Sequence, residues 1–258
     1  MMKMSTIGII CAGDSELQPY LDMLPFKESK KKAMLTFYEC EYQTHRLIAL
    51  YSGVCKVNGA LAAQILIDGY QPDFILNGGT CGGLDENVDI FDTIVAERCI
   101  YHDVAEDILT DFHPWMKEPW FLSDEKLLRA AERAQVRRPL RFGAVATGEY
   151  FLGAGSRRER LLEKYPEVLA VDMETAAIAH ACYVNQVPFL AVRTVTDNGT
   201  LPGIGAFEAN VEQASAISCQ VCLEIIAAYS ARSCASSCRE TDRNRCGIYE
   251  KTGKKQNL

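Results

Sequence analysis

No apolar run near the N-terminus is long enough for a secretion signal or a membrane span. Met1 to Ala12 carries one lysine and a short apolar stretch, Ile7 to Ala12, which meets Asp14 and Glu16 at once. No basic stripe precedes the C-terminal tail. With a net charge of −7 and a pI near 5.2, the sequence argues against general affinity for nucleic acid or an anionic membrane. The glycine-rich run Gly78 to Gly83 lacks the spacing of a dinucleotide fingerprint, and no helix former follows it. A disulfide framework is also missing: eleven cysteines is an odd number, and most lie inside apolar runs, which predicts reduced thiols in a cytoplasmic protein. Cys219-x-x-Cys222 with Cys234-x-x-x-Cys238 has a zinc-like spacing. Its first pair falls in an apolar helical pattern and its second in a polar tail, so no metal and no cofactor is expected.

What is present is enough for a large core. A length of 258 residues with 48% hydrophobic composition predicts one α/β domain, placed at 1–230, with a polar, basic and poorly ordered tail at 231–258. Apolar and β-branched runs predict strands over Thr6 to Ala12, Phe74 to Asn77, Thr93 to Ile100 and Phe142 to Ala146. Met34 to Glu41 and His45 to Ser52 read as a hairpin, and Gly78 to Gly83 as a glycine-rich turn. Helices are expected over Glu16 to Leu24 with Pro19 in the first turn, after the Gly53 to Ala60 segment to near Gly69 with Leu61, Ile65 and Leu66 on one face, and from Phe207 to about Tyr229. Ser123 is expected to cap another helix, and Ser156 with Glu159 to form a capping box.

The stretch from Leu169 to Asp197 organises the rest. Leu169 to Val171 reads as a strand, Met173 to Cys182 as a helix and Phe189 to Val195 as a second strand, expected to run parallel to the first. Ligands of such sheets sit at the carboxyl ends of strands. Asp172 and Glu174 would therefore meet Arg193, Thr196 and Asp197 at one edge. A plainer alternative has Glu174 complementing the helix dipole and pairing with Arg193.

Val171-Asp-Met-Glu-Thr-Ala-Ala-Ile-Ala-His180 and Val192-Arg-Thr-Val-Thr-Asp197 resemble the paired signatures of the 5′-methylthioadenosine/S-adenosylhomocysteine nucleosidases, within the nucleoside phosphorylase superfamily. Further pieces occur in the same order from residue 7 to about 225. They are Gly53-Val-Cys-Lys56, Gly78-Gly-Thr-Cys-Gly-Gly-Leu84, Tyr101-His-Asp103 and Thr147-Gly-Glu-Tyr-Phe-Leu152. The resemblance implies a three-layer α/β sandwich, a central twisted mixed β-sheet flanked by helices, and a homodimer in which the segment from Tyr101 onward reaches the neighbour's site. It also implies a small nucleoside as substrate. Glu16 would activate water and Asp197 would protonate adenine N7. Glu174 would grip the ribose, with Met173 beneath it, Thr80 beside it and Arg193 orienting water and Glu174, and Thr196 would also bind the substrate. Phe151 would stack on adenine, the Leu152 backbone would pair with its edge, and Val54 and Phe207 would line the 5′ pocket. The match fails over Val104 to Trp115, where Leu109 and Asp111 replace expected aromatics that Phe112 or Trp115 could supply, and after Asp197, where Asn198-Gly-Thr200 replaces a second acid. His102 and His113 read as structural.

Such a site would hydrolyse an N-glycosidic bond, provided that Asp197 holds a proton far above the free aspartate pKa of about 3.9. Three alternatives stay open: a purine nucleoside phosphorylase, a nucleosidase for another 5′ group of the aminofutalosine type, and a binding relative without turnover. The loop Cys11-Ala-Gly-Asp-Ser-Glu16 is acidic where a phosphorylase would offer arginine, which favours water over phosphate.

Overall fold

The computed structural model describes residues 4–105, 107–112, 116–198 and 203–246. In chain order they form β1 (Ser5–Cys11), α1 (Asp14–Met23), β2 (Glu28–Lys32), β3 (Leu35–Tyr42), β4 (His45–Tyr51), α2 (Lys56–Tyr70), β5 (Phe74–Gly83) and β6 (Thr93–Tyr101). After a short π-helical turn at Ile108–Phe112 come β7 (Phe121–Leu122), α3 (Glu125–Arg133), β8 (Arg141–Thr147), α4 (Ser156–Lys164), β9 (Val168–Asp172), α5 (Thr175–Asn185), β10 (Phe189–Asp197) and α6 (Gly203–Cys246).

The strands form one mixed sheet, in the order β10-β6-β8-β9-β5-β1-β4-β3-β2. Its far end turns back, because β10 also pairs in parallel with β5, and five strands thereby close into a ring. Helices cover both faces. Ala62, Ala63 and Leu66 of α2 and Ala176 to Cys182 of α5 pack on one side. Leu17 and Tyr20 of α1, Leu127 and Ala130 of α3, and Cys219, Cys222 and Ile225 of α6 pack on the other. The apolar stretch 204–230 of α6 is long enough by composition to cross a membrane, and it is spent instead on covering the sheet. Small alanines on α2 and α5 let the two helices lie close to strands that are apolar on both faces, as a sheet covered on both sides requires.

Several local expectations change. The strands on either side of α5 are not parallel: β9 runs antiparallel to β5 and β10 parallel to it, because α5 carries the chain across the ring rather than to a neighbouring strand. The glycine run is strand throughout, paired with β10, and none of its glycines has a positive φ. Pro19 is the sixth residue of α1 because the helix starts at Asp14. Leu61 points outward while Ala62, Ala63 and Leu66 face the core. Asp124, not Ser123, caps α3, accepting from the amides of Lys126 and Leu127, and Ser123 donates instead to the Ala96 carbonyl. The Ser156 capping box does not form, since Gly155 occupies the N-cap. β2 was not foreseen; Lys30 to Lys32 make it a short basic stretch, and charge of this kind on an edge strand discourages pairing with other chains. α6 continues past Tyr229 to Cys246, and the rest of the predicted tail, 247–258, lies outside the described residues.

Candidate active site

A cavity of about 260 Å³ opens where β5, β9 and β10 end beside the start of α1. Its polar wall holds four carboxylates, from Glu16, Asp172, Glu174 and Asp197, together with Thr80 and Thr196. Val54, Tyr150, Phe151, Leu152, Met173 and Phe207 supply apolar surface. Of the residues predicted for the site, all but Arg193 line this cavity.

Arg193 lies behind the wall, with no exposed surface. Its Nε and Nη2 both donate to Asp172 Oδ2 at 2.7 Å, Nη2 also reaches Glu174 Oε2 at 3.0 Å, and Nη1 stands 3.9 Å from Glu16 Oε1. Burial works against the guanidinium charge, but the three carboxylates outweigh it and raise its pKa further above the ordinary value. Arg193 is thus the counter-ion that allows three acids to share one buried wall. Gly79 leaves room for it: a Cβ there would stand 2.4 Å from Arg193 Nη1 and 2.6 Å from the Glu16 carboxylate.

Each acid is held differently. Glu16, third in α1, folds back as the acidic half of a capping box: Oε2 accepts from the amides of Ala12 at 2.6 Å and Gly13 at 3.4 Å. Its Oε1 accepts from the amide and hydroxyl of Thr80, at 2.7 and 2.8 Å, so Thr80 serves first as the anchor of Glu16. Glu174 is the N-cap of α5 but does not cap that helix; its carboxylate bridges the Cys55 amide at 2.8 Å and Arg193. The pairing that the plainer alternative assigned to Glu174 is therefore present, and the same carboxylate also faces the cavity. Burial pushes its pKa up to about 7, against the pull of Arg193.

Asp197 closes β10 at a bulge opposite Gly82. Burial raises its pKa, opposed by a 3.0 Å hydrogen bond from the Thr196 hydroxyl and by the charge of Arg158. This is the direction that an acid working near neutrality needs. Asp172, noticed in the sequence but given no role there, is the main partner of Arg193 and also accepts from Thr147 Oγ1 at 2.6 Å and from Thr175 Oγ1. Tyr150 was missed altogether; its ring stacks edge-on to His102, and nothing about an isolated tyrosine marks it in sequence. His102 is half-buried, its Nε2 packed against Gly148 outside the cavity, as a structural histidine would be. Leu109 is buried and Phe112 exposed, and neither lines the cavity; Glu106 and His113 to Trp115 lie outside the described residues.

Residues 6–227 match the model of the phosphorylase superfamily. The chain is 31% identical over 232 residues to a 5′-methylthioadenosine/S-adenosylhomocysteine nucleosidase of Bacillus pumilus, covering 87% of this chain and 98% of the relative. The chain belongs to that nucleosidase family. A second member, from Actinobacillus succinogenes, is 30% identical over 227 residues, covering 86% of this chain and 98% of its own. Among solved structures, the family's enzyme from Colwellia psychrerythraea, in complex with adenine, superposes with a TM-score of 0.81 at 29% identity, over 88% of this chain and 96% of that one. The futalosine hydrolase of Helicobacter pylori superposes with a TM-score of 0.80 at 25% identity, over 86% and 97%.

Proposed function

We propose that this protein hydrolyses the N-glycosidic bond of 5′-methylthioadenosine and S-adenosylhomocysteine, releasing adenine. The observation that carries the reading is that Glu16 and Asp197 open on one cavity whose lining, among the described residues, includes no lysine or arginine. Breaking the bond requires a proton for the departing base and a deprotonated water at C1′, with positive charge growing on the sugar between them. Asp197, whose pKa burial raises, donates to adenine N7. Glu16 accepts the water's proton at Oε2, where the 3.4 Å contact to Gly13 is the weakest of its bonds and the one that water displaces.

Glu174, with Met173 beside it, receives the ribose, and the surrounding carboxylates favour the charge that develops there. Phosphate meets the opposite field, because the fully buried guanidinium behind the wall, Arg193, is already shared by three acids. Phe151, partly exposed at the mouth, stacks on adenine, and the Leu152 backbone meets its edge. Val54 and Phe207 form an apolar rest for a 5′-thioether, where each buried methylene is worth roughly 0.8 kcal/mol.

The assay is a comparison of kcat/KM for methylthioadenosine, S-adenosylhomocysteine and adenosine at one pH. Both thioethers are expected to exceed adenosine by at least about tenfold. Equal rates for adenosine and methylthioadenosine would remove the apolar 5′ pocket from the account. Faster cleavage of a nucleoside with a bulky polar 5′ group would move the chain toward futalosine-type substrates.

The protein is further proposed to act as a cytoplasmic homodimer, in keeping with its buried free thiols and with Val57 and Leu61, exposed one turn apart on α2. Sedimentation of a monomer at micromolar concentration would count against the dimer.

A further inference from the structure

Three segments converge beside the cavity without lining it. Lys56 begins α2 immediately after the Cys55 amide that holds Glu174. Asp103 follows β6, and Glu149 precedes Tyr150 and Phe151 of the cavity wall. The Lys56 ammonium meets Asp103 Oδ1 at 2.8 Å, and Asp103 Oδ2 accepts from the Glu149 amide at 2.9 Å. Glu149 Oε1 in turn accepts from the Lys56 amide at 3.1 Å, at the otherwise uncapped start of α2, where a carboxylate complements the helix dipole. The ammonium also lies 5.2 Å from the centre of the Tyr101 ring. The side chains of Lys56 and Asp103 are largely covered while Glu149 is exposed, and the loop is closed: each bonds to the other two.

What this ring of contacts restrains is a strained residue. Cys55 has φ +84° and ψ 161°, a region that suits glycine and penalises a side chain. That conformation aims its amide at Glu174. Such a residue stays in place only where its surroundings over-determine it; its own carbonyl accepts from the Gly59 amide at 3.0 Å, and the bonds to the neighbouring Lys56 add to that hold.

We propose that Lys56, Asp103 and Glu149 form a positioning clasp that keeps strained Cys55 turned toward Glu174 and couples the ribose grip to the Tyr150–Leu152 wall. None of the three touches the cavity, so they act through Glu174 and the base wall. The proposal rests on the assignment of Glu174 to the ribose.

The test uses the full chain with methylthioadenosine as substrate. Turnover by the unaltered protein is measured first, and its failure would remove the functional reading rather than the clasp. Given turnover, Asp103→Asn and Lys56→Met are each expected to lower kcat/KM about tenfold, equivalent to about 1.4 kcal/mol. The double variant should be no worse than either single one, because one unit is broken once. Lys56→Arg should recover most of the rate. The decisive background is Cys55→Gly: glycine adopts the Cys55 conformation without strain, so Asp103→Asn should cost less than about threefold there. If Asp103→Asn fails to fold, Lys56→Met carries the same comparison. Unchanged kinetics in both single variants, or a loss that persists in full with glycine at 55, would overturn the clasp.

Discussion

Replacing Arg193 with methionine, similar in reach and without charge, would leave Asp172, Glu174 and Glu16 facing one another in a wall with almost no solvent. The lost contacts are those at 2.7, 3.0 and 3.9 Å. Removing one partner of a buried ion pair costs about 3–5 kcal/mol, because the remaining charge stays desolvated and unpaired. Glu174, whose pKa burial already pushes up to about 7 against the pull of Arg193, can escape that cost by taking up a proton. Without Arg193 that pull is gone, so the variant's deficit should be larger at pH 8, where ionisation is forced, than at pH 5. Urea unfolding at the two pH values measures both terms, and adenine release measures the consequence for the site. Arg193→Met should lose several kcal/mol at pH 8, distinctly less at pH 5, and most of its turnover at both. A loss below about 1 kcal/mol that is the same at both pH values would show that Arg193 does not hold the acids together.

Asp197→Asn and Glu16→Gln should each lower turnover by at least about 10²-fold while a substrate analogue still binds, since they remove the acid or the base and keep the cavity; near-normal rates in calorimetrically competent variants would end the assignment. Glu174 gives a pH signature. Its folded pKa of about 7 lies above the ordinary 4.5, so stability relative to Glu174→Gln is fully present below about pH 4.5 and declines as pH rises through 7. At about 1.4 kcal/mol per unit the decline is roughly 3 kcal/mol, and parallel unfolding curves for the two proteins across that range would contradict the shift.

Much of the fold is visible in sequence because the strands of the ring are plain apolar runs. β10 is buried at every position and reads as β-branched and apolar from Phe189 to Val195. What misled was the sense of the strands. A strand, helix, strand pattern predicts a parallel pair, and closure of the ring by β5 and β10 is a long-range event without a local signature. The glycine run misled for a related reason. Gly79 is there so that Arg193 and Glu16 can lie against the backbone, which looks in sequence like a turn.

The candidate site was legible where carboxylates follow strands, as at Asp172 and Asp197, and where motifs brought Glu16 and Phe151 with them. It was less so for what sits one layer back. Arg193, expected to orient water and Glu174, does bond Glu174 but stands behind the wall, outside the cavity, with Asp172 as its main partner. Thr80 was expected beside the ribose and spends its hydroxyl on Glu16. These are questions of direction, which residue type and spacing do not carry.

The central claim is that water, and not phosphate, attacks C1′ in the cavity between Glu16 and Asp197. The direct measurement is turnover of methylthioadenosine in water enriched in oxygen-18, with and without phosphate, followed by mass spectrometry of the sugar. Hydrolysis predicts adenine release at the same rate in both conditions, with one labelled oxygen at C1 of methylthioribose. A requirement for phosphate, with a sugar 1-phosphate as product, would contradict it.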